Sequence, residues 1–562
     1  MPSFRRNPTS SFKLLAAFLI ITFYLILRGF TGSESSGHKK RHAPLGAQIQ
    51  YEGWRNGSGH ADEEKATQVR EAMKHTFSKY REHAWGYDDI KPVSGGNGTS
   101  RNGWGAFIVD TASTLALMGM WDELELEVDH IINKVDFTTA YGLVDPFETT
   151  IRYLGGLLSI VDLIDAGTVP PGIITNSKRD ALLAQAVTLA DKLAPSFDTP
   201  TGMVWPRVNF TTDEGSPDPP SVYLLDPSKP HYKNPSIGPA RAGSNILENR
   251  VLSRLTGNAA YVNNATRAWA PLVWNRFDTP WPGMVDAPID IITGAPVGRV
   301  RHWDAGHDSY YEYLIKIALL AQGDLYTHFY QEVWTDAVTA LRHNLASRSA
   351  PQDNHKKQHV FMGKQDANWF INEQSHLACF AAGNIMLGAR FLNHPNFLTL
   401  GQALLEGCRH AYASTPTHIG PENWSWIPKF GYDNATFQPA SDRQLRELSD
   451  TGIWMVNAQF KLRPEYVESL FYGYRITGEE RYRDWAWDAF RAFERHCKTK
   501  YGYSALRDVT LKGDESNWKD EQESFWGAET LKYLWLIFKD PSVGSLDKWV
   551  YSTEGHLFRM IR

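Results

Sequence analysis

The chain is poor in cysteine. Only Cys379, Cys408 and Cys497 stand among its 562 residues, which allows at most one bridge and one free thiol and excludes a disulfide framework. It has no basic surplus either. Lys and Arg number 58 against 63 Asp and Glu, a net charge of −5, so nothing points to nucleic acid as a partner. No D-x-D-x-D-G calcium loop occurs, and His302, His307 and His359 are not at metal-ligand spacing. Although length alone suggests two to four domains, no linker splits residues 61–562. That stretch reads as one domain.

Aromatic residues are plentiful, with 20 Trp and 24 Tyr. Flat rings suit a carbohydrate cleft, and they equally suit a large helical core. Near the N-terminus an apolar run, Leu14–Leu27, lies between Lys13 and Arg28. It is short for a span, but the flanking side chains can snorkel and lengthen it. Arg5, Arg6 and Lys13 keep the preceding end cytosolic. The expected layout is a cytosolic tail over 1–13, a signal anchor over 14–30, a flexible luminal stem over 31–60 and the domain over 61–562. A cleaved signal peptide is the alternative, which would give a secreted protein. Six N-x-S/T sequons, at Asn56, Asn97, Asn209, Asn264, Asn423 and Asn434, agree with a secretory route.

Helical periodicity dominates from residue 61 onward. About fourteen helices follow in pairs, one member apolar and aromatic, the other more charged. Turns such as "LTGN" and "ITGEE" end helices at glycine. This pattern predicts an all-α fold of inner and outer helices in a closed barrel. A short β element is expected at "GMVDAPIDIITGAPVG". Several aromatic-rich helix starts carry acids: Glu148, Glu248, Asp308, Glu465 with Glu468, and Glu523 with Glu529. One acid in a first turn only complements the helix dipole. But Glu148 and Arg152 are spaced i,i+4, and Glu465 and Glu468 i,i+3, so each pair shares a face. Many such acids at one barrel end make an acidic pocket. Glycoside hydrolysis uses such a pocket, one carboxylic acid protonating the leaving oxygen and one carboxylate activating water.

At "DPFETTIRYLGGLL", "HDSYYEYLIK", "HLACFAAG", "LRPEYVESLFYGYRITG", "ESFWGAETLKYLWLIF" and "YSTEGH" the sequence resembles glycoside hydrolase family 47. These are the class I α-1,2-mannosidases of N-glycan processing. The resemblance runs from residue 83 to the C-terminus. It implies an (α/α)7 barrel and inverting, Ca2+-dependent hydrolysis of high-mannose N-glycans by a monomer in the ER or Golgi membrane. It gives Glu148 the role of general acid, Glu465 that of base, and Asp308 and Glu422 places among the catalytic acids. Arg152, Glu248, Gly306, His376, Arg463, Glu468, Phe525, Glu529 and Glu554 match substrate-pocket positions. Thr553 matches the calcium ligand, and Cys379 and Cys408 match the disulfide. Gly306 stands where ER-type members that stop after one mannose carry Arg, so trimming of the nine-mannose glycan towards five is expected. Two other readings are a lectin-like quality-control relative and a barrel hydrolase for another sugar. Such relatives usually continue past the barrel, and "RPEYVESLFY" argues against a different sugar.

Overall fold

Inner and outer helices differ in sequence before they differ in place. In the computed structural model, residues 43, 46–56, 60–219, 224–274, 280–430 and 437–561 are described. Among these residues fourteen principal helices alternate. They are α1 (Glu63–His83), α2 (Ala106–Met118), α3 (Trp121–Lys134), α4 (from Pro146–Thr149 through a π turn, Thr150–Leu154, to Gly155–Asp165), α5 (Asn176–Leu193), α6 (Ile246–Thr256) and α7 (Ala260–Val273). The second half holds α8 (Asp308–Leu320), α9 (Thr327–Asn344), α10 (Phe380–Phe391), α11 (Pro395–Ala413), α12 (Glu465–Thr477), α13 (Arg481–His496) and α14 (a π turn, Trp526–Thr530, then Leu531–Phe538).

The even-numbered helices form the inner ring. Each packs on the next, from α2 through α4, α6, α8, α10 and α12 to α14, and the π turn of α14 packs back on α2. Every odd-numbered helix covers an inner one, with α1 on α14. The sequences explain the placement. All thirteen residues of α2 are buried, as a helix enclosed on every side requires. In α13 the buried residues include Tyr482, Ala486, Ala489 and Phe493, a single stripe with charge on the other face. Glycine ends α6 at Gly257 and α12 at Gly478, both left-handed, as the two quoted turns predicted.

Strands serve the ring. The expected β element is a hairpin of β1 (Ala287–Asp290) and β2 (Pro296–Arg301) within a five-stranded antiparallel sheet. β2 leads directly to the start of α8. At the C-terminus, β3 (Trp549–Tyr551) and β4 (Leu557–Arg559) pair antiparallel. β3 packs on α8 and β4 on α4. The Leu557 N–H donates to Ser159 and the Arg559 N–H to Asp162, both on α4. This hairpin therefore runs inside the ring, and its turn, 552–556, points to the N-terminal ends of the inner helices.

The opposite end is sealed. Tyr51 N–H donates to the Arg475 carbonyl, Gly46 N–H to Gln322 and Ile49 N–H to Asp547. Ile49 and Gln50 are buried. The stem expected over 31–60 is thus corrected where it is described: residues 46–54 are docked on the base of the barrel. Gly, Ser and charge suggested flexibility, but a few buried anchors decide the matter. The tail over 1–13 and the anchor over 14–30 lie outside the described residues, and among those described no helix is long and apolar enough to cross a membrane. Asn434 and the Asn56 side chain also lie outside them. Asn97 and Asn264 are exposed. Asn209 is half-buried and accepts from the Thr211 N–H. The Asn423 side-chain nitrogen, which a glycan would take, donates to Glu373 at 2.6 Å. Cys379 and Cys408 are bonded, tying the start of α10 to α11, and Cys497 is a buried free thiol.

Candidate active site

Acids that open the inner helices converge because the helices share one direction at the ring's mouth. A cavity of about 540 Å³ opens there. Glu148, Arg152, Gly306, Asp308, Arg463, Glu465, Glu468, Phe525, Glu529, Thr553 and Glu554 all line it. These residues come from α4, α8, α12, α14 and the C-terminal hairpin turn. Two wall residues sit in π turns, Arg152 in α4 and Glu529 in α14; such bulges recur at functional sites because they re-aim side chains. Leu462, just before Arg463, is held at φ 64. A buried leucine seldom adopts that conformation, and its carbonyl is fixed by the Thr530 hydroxyl at 2.7 Å.

The carboxylates of the wall divide by environment. Burial raises Glu465, but the His376 hydrogen bond, then Arg463, outweigh it and hold the carboxylate below its ordinary range. Its Oε2 lies 2.6 Å from His376 Nδ1, and its Oε1 4.0 Å from Arg463. Glu148 is likewise held below its ordinary range, since Arg152 and Arg101 overcome its burial. The Arg152 guanidinium donates to it at 2.9 Å, which realises the i,i+4 pair, and also pairs with Glu554. Asp308 goes the other way. Burial, then the negative charges of Asp304, Glu312 and Glu465, push it up to about 8 against the one Ser309 N–H that favours its charge. The site therefore holds a carboxylic acid and carboxylates together near neutral pH.

Three expected site residues do not line the cavity. Glu248 is fully buried on α6, where it accepts from the Tyr313 hydroxyl at 2.7 Å, and burial pushes it up to about 8. Tyr313 in turn accepts from the Thr553 N–H. Glu248 thus supports the floor from behind the lining residues. Glu422 accepts from Arg463 Nε at 2.8 and 2.9 Å and so orients that arginine from behind. His376 is buried behind Glu465. Residues that the sequence reading passed over include Arg101, Glu312 and Lys461 in the wall. Lys316, fully buried, pairs with Glu312 and lies 3.8 Å from Glu468. An acid and a lysine at i,i+4 on α8 were the available signal.

The floor suits a hard cation. Glu468, Glu529 and Glu554 are pushed well above the ordinary range, first by burial and then by neighbouring carboxylates. Oxygen donors with excess negative charge match calcium. Among the described residues, no three pocket carboxylates bring oxygens within 4.8 Å of one another. Thr553, with its carbonyl and hydroxyl oxygens, lines the same cavity as these acids. The described cluster that does meet this spacing is His355, His359 and His410, outside the pocket. His359 stacks on His410 at 3.8 Å and 7°, so their in-plane lone pairs do not converge on one ion.

A ring of paired helices whose mouth joins an ionised carboxylate to a protonated one defines a glycosidase. The chain belongs to glycosyl hydrolase family 47, whose model matches residues 72–560. It is 34% identical over 510 residues to the mannosyl-oligosaccharide alpha-1,2-mannosidase 1B of Aspergillus phoenicis, covering 90% of this chain and 93% of that protein. The mannosyl-oligosaccharide alpha-1,2-mannosidase of Coccidioides posadasii is 35% identical over 510 residues, with 89% and 91% covered. In solved structures, the alpha-1,2-mannosidase from Trichoderma reesei superposes with a TM-score of 0.81 at 32% identity, covering 90% of this chain and all of that one.

Proposed function

We propose that the protein removes terminal α-1,2-linked mannose from high-mannose N-glycans with inversion, aided by Ca2+. The observation that carries this is the opposite charge preference of Glu465 and Asp308 in one cavity. Glu465, ionised and with Oε1 turned from His376, takes a proton from the attacking water. Asp308, protonated near neutral pH, gives one to the leaving oxygen. Glu148 was the donor implied by family resemblance; two arginines favour its ionised form, so Asp308 suits the donor role better and Glu148 the placement of water and Arg152. A bound calcium ion would orient sugar hydroxyls and water at Thr553. Arg463 and Arg152 position the sugar, and Phe525 offers it a ring face.

The proposed range is successive trimming from nine mannoses towards five. Gly306 supports it, since no heavy atom lies within 4 Å of where its Cβ would stand, leaving room for more than one branch. Residence in the ER or Golgi membrane through residues 14–30, with the barrel luminal and monomeric, belongs to the same proposal, as does the secreted alternative. Two measurements test it. NMR of the first-formed mannose should show the β anomer, and an α anomer refutes inversion. A mass time course on the nine-mannose glycan should pass eight, and a stable eight-mannose product at high enzyme refutes the broad range.

A further inference from the structure

Glu465 is not alone in its corner. Behind it, His376 bridges two groups, with Nδ1 2.6 Å from Glu465 Oε2 and Nε2 2.7 Å from the Tyr412 hydroxyl. All three belong to different elements: Glu465 opens α12, His376 precedes α10, and Tyr412 lies on the outer helix α11. Tyr412 is buried and does not line the cavity. Its ring stacks on Tyr466 at 4.1 Å, which fixes the direction of its hydroxyl.

We infer that Tyr412 is a positioning residue that sets the tautomer of His376 and, through it, the orientation and charge of Glu465. The argument is a proton count. A phenol has one proton to donate, and a neutral imidazole has one N–H and one lone pair. Among the described residues the hydrogen-bond partner of the Tyr412 hydroxyl is His376 Nε2. The phenol proton therefore goes to that nitrogen, which must offer its lone pair. The imidazole proton is left on Nδ1, where it faces Glu465. The opposite tautomer would aim a lone pair at an ionised carboxylate across 2.6 Å and leave the buried phenol proton unpaired, both of which disfavour it. With Nδ1–H donating to Oε2, the base is pinned by one oxygen and keeps Oε1 for water. An orienting partner of this kind acts as the outer residue of a hydrogen-bonded triad does.

Other groups around the chain of bonds do not supply this proton. Arg463 reaches Glu465 from the Oε1 side at 4.0 Å. Asp308, Glu468 and Glu529 surround the base as acids. Besides His376, the titratable neighbours of Tyr412 include Tyr466, Glu465, Cys497 and Glu422. Burial raises the phenol well above its ordinary range, so it stays protonated at any working pH.

The inference rests on Glu465 being the base, and the test separates the two claims. With 15N-histidine-labelled full chain, NMR should show His376 protonated on Nδ1. A proton on Nε2 overturns the inference. Tyr412→Phe should lower kcat about tenfold, as loss of an orienting partner does, leave KM unchanged, and move the acid limb of the kcat/KM profile up by about one pH unit. A superimposable profile overturns the inference. If Tyr412→Phe folds poorly, His376→Asn still decides the matter, because its amide can donate to Glu465 without help from Tyr412. In that background Tyr412→Phe should add nothing, and an undiminished loss overturns the relay. Failure of the base reading looks different: Glu465→Gln would keep its activity while the Nδ1–H signal stayed in place.

Discussion

Glu465 and Arg475 stand at opposite ends of one helix, both buried, and their charges are met in opposite ways. At the base, Arg475 donates to the carbonyls of Leu536, Pro541 and Val543 and to the Gln50 side chain. Its hydrogen bonds go to neutral oxygens, and burial lowers it to about 10. At the mouth, Glu465 meets His376 and Arg463, with more acids than bases nearby. A charge enclosed by neutral dipoles is a structural clamp, since nothing about it changes during a reaction. A charge set among other charges is poised, because each proton moved alters its neighbours.

If that contrast holds, substitutions at the two ends should fail in different ways. The largest effect is expected from Glu465→Gln, which should cost roughly 10²–10⁴-fold in kcat with glycan binding and melting temperature retained. More than about a tenth of kcat remaining would remove the base from the mouth. Exhaustive EDTA treatment should abolish activity and lower the melting temperature, and Ca2+ should restore both, as for an ion that binds only the folded state. Arg475→Gln should do the reverse: it should cost roughly 3 kcal/mol by leaving buried carbonyls unpaired, measured by denaturant unfolding, with kcat per folded molecule unchanged. The pH profile is a finer probe. Activity should fall as pH drops through a Glu465 value below the ordinary 4.5, and again as pH rises through about 8, where Asp308 ionises. Asp308→Asn should remove the second limb and lose less activity on an aryl mannoside with a good leaving group. The smallest effect concerns Gly306. Its φ of 93 strains any side chain, so Gly306→Arg must be compared with Gly306→Ala, which shares the strain and adds no donors. Only the arginine should slow the later cleavages more than the first.

The mouth was more legible in the sequence than the base. Glu148, Asp308 and Glu465 announce themselves as acids at apolar helix starts, and the i,i+4 relation of Glu148 and Arg152 becomes a real contact. The alternation of buried and one-faced helices gave the ring. Glu248 carried the same signal as Glu465 but stands behind the cavity lining, because its side chain meets Tyr313 on the neighbouring helix. Position in a first turn fixes a residue's height, not the direction it faces. Thr553 and Glu554 had no local signal at all. A short hairpin threaded through the ring places them, and no periodicity records what encloses a strand. Residues 46–54 failed for a related reason: their docking depends on carbonyls and side chains hundreds of positions away.

That docking has a mechanical consequence. The segment from Gly46 to Tyr51 is bonded to the C-terminal ends of the inner helices, whereas the cavity opens at their N-terminal ends. The enzyme is gripped at its foot. The base, closed by this segment and by Arg475 with its carbonyls, and the mouth therefore stand at opposite ends of the barrel. A change that loosens residues 46–51 should therefore weaken the barrel from its foot, a full barrel height away from the acids of the cavity.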